Sequence, residues 1–220
     1  MTHVEEKHTI WEDLGASLGL WAAALLALQL ALMLRVTADV SGSDAEFASA
    51  LVAERPTWEW MTFLRIVAGL QIVWWMGSLS TRLRRAEGEP GRLSGVVFAV
   101  GAVWGGVWLA SAFLNSAAIL LATDYANPAG SRLAATLALE TPFVLTPATM
   151  FALTWATSLA VLRFGGFPRW YGWATQGVSG LLLVLAIVDW YGSGSLSVAI
   201  LAVALVWTAA TSAVLLRSQG

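Results

Sequence analysis

A chain of 220 residues with 58% hydrophobic and only 12% charged residues, and a mean hydropathy of +0.70, lies outside the composition of soluble globular domains. It describes an all-α, multi-pass membrane protein. The formal net charge of -2 leaves no basic surface to compete for a nucleic-acid backbone, and the absence of cysteine excludes disulfides, thiolate nucleophiles and thiolate-held metals. The only histidines, His3 and His8, precede the first apolar run, so haem held by paired histidines inside the membrane is excluded and no cofactor or metal is expected.

A hydrocarbon core of ~30 Å takes about 20 apolar residues as helix. Stretches with few or no charges place six spans over residues 14–35, 61–81, 94–123, 141–163, 170–189 and 195–216, in a single membrane domain over 1–220. The first run follows Glu5, Glu6, Glu12 and Asp13 rather than a positive segment, which reads as a retained anchor and not a cleaved signal.

In the connection that follows, Phe47 and Leu51 stand four apart within Ala45–Ala53, a spacing that fits a short helix lying on the external surface. Trp58 and Trp60 then mark an interfacial belt at the entry to span two. Arg65 falls about 7.5 Å beyond that belt at 1.5 Å per residue. A cation at that depth either snorkels to the headgroups or pairs with a carboxylate at the same end, for which Glu140 and Asp189 are the candidates.

The tract 81–92 carries Arg82, Arg84, Arg85 and Arg92, and the fourth connection carries Arg163 and Arg169. With Lys7 and Arg217 they outnumber Arg35, Arg55 and Arg132 on the opposite side, so both termini and both arginine-bearing turns are expected in the cytoplasm.

Span three holds Gly101, Gly105, Trp108, Ala112 and Asn115 at steps of three and four, on one helical face. The G-x-x-x-G pair Gly101 and Gly105 permits close backbone approach to another helix, within this chain or in another subunit, and Asn115 can hydrogen-bond to another helix and stands with Arg65, Glu140 and Asp189 as a candidate ligand-binding residue. Span four is rich in threonine. Pro142 reads as the opener of its helix, while Pro147 reads as a kink that exposes coordinating groups or merely tilts the helix. Trp170 and Trp173 anchor the start of span five at the interface, whereas Trp21, Trp104, Trp108, Trp155 and Trp207 fall deeper, as packing or as walls of an apolar cavity.

The segments Leu83 to Ser94 (Leu-Arg-Arg-Ala-Glu-Gly-Glu-Pro-Gly-Arg-Leu-Ser) and Phe167 to Trp173 (Phe-Pro-Arg-Trp-Tyr-Gly-Trp) resemble the inner loops of six-span membrane proteins of actinobacteria, a family without an established activity. The resemblance covers most of Met61–Val188 in layout. It implies the six-span fold and its topology only and brings no site residues; the location expected for the chain is a bacterial plasma (inner) membrane.

Three functions remain open on the sequence. The first is a non-enzymatic protein of the lipid bilayer that binds an apolar small molecule or joins another membrane subunit, with no catalytic residue. The second is a small transporter with an external vestibule around Arg65, Glu140 and Asp189. The third is a lipid-modifying enzyme, for which only Glu140 and Asp189 offer acid chemistry.

Overall fold

A computed structural model describes residues 3–36, 42–191 and 196–217, with side chains from residue 13 onward. The side chains of His3, His8 and Lys7, and residue 195 at the start of the sixth expected span, lie outside the described residues. Among the described residues the chain is helical with no strand, and it forms α1 (His3–Val36), α2 (Asp44–Ala53), α3 (Arg55–Glu87), α4 (Arg92–Thr123), α5 (Pro128–Phe164), α6 (Arg169–Tyr191) and α7 (Ser197–Arg217). All but α2 are long and apolar enough to cross a membrane.

Local chemistry sets the helix ends. Ser43 and Glu46 form a reciprocal capping box at the start of α2, and the Ser43 backbone N–H, with its hydroxyl, holds the Glu46 carboxyl below its ordinary value. At the arginine-rich end, α3 stops at Gly88, whose φ of 76° suits glycine. The Glu87 carboxylate then accepts from the backbone N–H groups of Leu93 and Ser94, both at 2.9 Å, and so caps α4.

Asn127 accepts from Gly130 N at 3.0 Å and precedes Pro128, which together start α5 well before residue 141. Pro142 is therefore inside a helix of 37 residues and does not open it.

Helix pairs close through small residues, as expected where lipid gives helices no hydrophobic reason to associate. A Cβ added at Gly105 would stand 2.7 Å from Val73 Cγ2 and 2.8 Å from the Gly69 carbonyl oxygen, and one at Gly101 would overlap the Met76 side chain. The partner of the Gly101–Gly105 face is thus α3 of the same chain. A second G-x-x-x-G pair, Gly15 and Gly19, brings α1 against Ser78 and Trp75 of α3. α4 packs along α3 and α5, α1 along α3, α7 along α1 and α6 along α5, and α7 closes the bundle against α5 and α6.

Two apolar clusters fill this frame. The larger runs through the bundle and includes Trp75, Trp104, Trp108 and Trp207. The smaller joins Phe47 and Leu51 of α2 to Trp58, Met61, Ile119 and Ala135. The short helix thus spends its apolar face on the bundle rather than on a membrane surface. Trp58 is only 2% exposed, packed edge-on against Phe47, so it is a core residue and not the interface anchor that its sequence position suggests. Trp60, Trp170 and Trp173 are exposed on the flanks.

Candidate functional site: a groove between α5 and α6

The two prolines inside α5 organise what lies on either side of it. Proline has no N–H, so Pro142 cannot donate to the Ala138 carbonyl, nor Pro147 to the Phe143 carbonyl. Both carbonyls are left for other donors. On the core side the Ser111 hydroxyl and Arg65 Nη1, the latter at 3.5 Å, turn to Ala138 O. Arg65 Nη1 is also 3.5 Å from Ser111 O, while its Nε has no hydrogen-bond partner.

One turn further toward α2, Asn115 Nδ2 donates to Trp58 O at 3.0 Å and to Thr62 Oγ1 at 2.7 Å, a link between α4 and α3. Asn115 serves the bundle as an interhelical tie. Most of the α5 threonines bond back to their own helix, as Thr141 does to Leu137 O at 2.6 Å and Thr154 to Met150 O at 2.7 Å. Thr146 instead accepts from the buried Trp104 indole at 3.3 Å.

Arg65 neither snorkels nor pairs with Glu140 or Asp189. It is 1% exposed, and the cluster of Phe47, Leu51, Trp58 and Met61 lies between it and the end of the bundle that carries α2. An external vestibule around Arg65, Glu140 and Asp189 is therefore not the arrangement the chain adopts. The depths agree, but the directions do not. Glu140 is two residues beyond Ala138, about 200° around the helix, so burial of Ala138 turns Glu140 to the outer surface.

That outer side of α5 carries the groove. It has a volume of about 570 Å³ and is lined by Glu140, Phe143, Val144, Pro147, Ala148 and Phe151 of α5, by Leu183, Ala186, Asp189 and Trp190 of α6, and by Ser197 of α7. Ala148 and Ala186 leave room between larger apolar neighbours. Trp190 is 81% exposed at one end. The groove opens on a flank that also exposes Leu145, Ile187 and Val188, the surface that hydrocarbon would cover.

The two carboxylates in the groove have different duties. Asp189 Oδ1 accepts from Leu196 N at 2.8 Å and Oδ2 from the Ser197 hydroxyl at 2.9 Å, which caps α7. Asp189→Ala is expected to lower stability by about 1 kcal/mol. A thermal melt in detergent that matches the parent would show that the cap carries no weight. Glu140 has no hydrogen bond or ion pair among the described residues.

A second hollow of about 680 Å³ at the arginine-rich end is lined by residues including Glu87, Glu89, Arg92, Leu159, Arg163 and Phe164. Its acids are engaged in holding the fold, since Glu87 caps α4 and Glu89 bonds Arg84 at 2.8 Å. No protein family, curated protein or solved structure matches the chain.

Proposed function

We propose that this chain is a six-span protein of a bacterial plasma membrane, its arginine-rich turns and both termini in the cytoplasm, that takes an apolar ligand from the bilayer into the groove between α5 and α6 without catalysing a reaction. The observation that carries this is the groove itself: its volume of about 570 Å³ lies within the range of ligand pockets, its walls are mostly aromatic and aliphatic with Glu140, Asp189 and Ser197 as the polar exceptions, and it opens sideways on an apolar flank. Asp189 and Ser197 are committed to the α7 cap, which argues against acid or nucleophile chemistry there. The loops that resemble actinobacterial six-span proteins sit at the opposite, arginine-rich end and support the placement in the membrane, not the ligand.

The test is photolabelling in lipid nanodiscs with a long-chain alcohol that carries a diazirine in its tail. Adducts are expected on the segments 143–151 and 183–190, reduced several-fold by Ala148→Trp, which fills the groove from an exposed position. Labels spread evenly over the exposed faces of α1, α4 and α6, and indifferent to Ala148→Trp, would overturn the proposal.

A further inference from the structure

We infer that the groove selects amphiphiles whose headgroup ends in a primary ammonium; the inference rests on the ligand groove proposed above and adds its chemical preference. Apart from the exposed Trp190 indole N–H, the polar side-chain groups the groove presents near Asp189 are acceptors or committed to one. Glu140 brings a carboxylate without a cation among the described residues. The Phe143 carbonyl, a turn away, cannot receive an N–H from Pro147. Asp189 adds a second negative charge, and each of its oxygens has lone-pair capacity beyond the single bond it accepts from α7. The exposed Trp190 ring offers a face to a cation.

No basic residue lines the groove to balance these charges. An ammonium with three N–H donors meets this set, while an anionic headgroup is repelled by it and a trimethylammonium has no proton to give the carboxylate or the carbonyl.

The depth fits a headgroup. From Glu140 to Arg163 along α5 the rise is about 35 Å, and from Asp189 to Arg169 along α6 about 30 Å, at 1.5 Å per residue. With the arginines at one interface, a hydrocarbon core of ~30 Å puts both carboxylates at the other. The apolar walls formed by Phe143, Val144, Phe151 and Leu183 extend from there toward the bilayer centre, where a tail would lie.

Three diazirine probes with the same tail test this in nanodiscs at neutral pH: a primary amine, an alcohol and a trimethylammonium. The amine should label segments 143–151 and 183–190 about tenfold more than the alcohol, the equivalent of one charge-assisted hydrogen bond. Glu140→Gln, an isosteric change at an exposed position, should bring the amine close to parity and leave the alcohol unchanged. Parity between amine and alcohol in the parent protein overturns the ammonium preference and leaves the groove standing. Equal labelling by the amine and the trimethylammonium overturns the assignment to a primary ammonium. Absence of all three labels from these segments removes the groove, and the preference with it.

Discussion

Gly105→Leu is expected to lower the unfolding free energy of the bundle by about 3 kcal/mol, whereas Gly106→Leu should leave it within about 0.5 kcal/mol. The two residues are adjacent in sequence and differ only in what they face. A Cβ at Gly105 would meet the Gly69 carbonyl oxygen at 2.8 Å, and a backbone atom cannot turn aside as a side chain can. α3 and α4 would have to separate, with loss of the contacts that Gly69 and Gly101 permit on either side. Gly106 has nothing within 4 Å of the same position. Gly101→Leu should fall between them, because the neighbour it displaces is the flexible thioether of Met76. Denaturation in mixed micelles reads all three. Equal stability of the Gly105 and Gly106 variants would mean that the α3–α4 approach is looser than the structure has it.

The same pair shows what the sequence makes legible. Glycines four apart in an apolar run announce a close helix approach, because only their spacing and size are needed. Their partner is not announced, since Gly69 is distant in the chain and isolated in its own helix. Gly15 and Gly19 carry the same signature and close α1 onto α3. Six crossings follow from the length of uncharged runs. The early start of α5 lies in Asn127-Pro128, a cap and opener that the longer apolar run after Pro142 outweighs on inspection of hydropathy alone.

Tryptophans give depth but not direction. Trp58 and Trp60 differ by about 200° of helix rotation, and α2 covers the first and leaves the second exposed. The groove was half legible: Glu140 and Asp189 could be placed at one depth. That Arg65 at this depth turns inward depends on which face of α3 meets α4 and α5, a long-range fact that no local pattern carries.

Arg65→Met is expected to stabilise the protein, by about 1–4 kcal/mol. The guanidinium is 1% exposed, and its hydrogen bonds to Ser111 O and Ala138 O are both at the long limit of 3.5 Å. Its Nε has no partner, and no carboxylate pairs with it among the described residues. A cation removed from water and held only by weakly placed carbonyls costs more to bury than it returns, and methionine fills a similar unbranched volume without that penalty.

The exchange leaves no acceptor stranded, because the Ser111 hydroxyl still donates to Ala138 O and the Ser111 carbonyl sits in the helical ladder of α4. Arg65→Ala should instead destabilise, since it leaves a cavity between α3, α4 and α5, beside Ser111 and Ala138, that the packed helices cannot close. Coupling to the groove is expected to be absent: in a double-mutant cycle with Glu140→Gln the interaction energy should stay within about 0.5 kcal/mol. A loss of stability in Arg65→Met would mean that the guanidinium has a stronger partner than these two carbonyls. A coupling of 1 kcal/mol or more, on the order seen for residues that share a network, would identify that partner as Glu140 and return the carboxylate from the groove to the core.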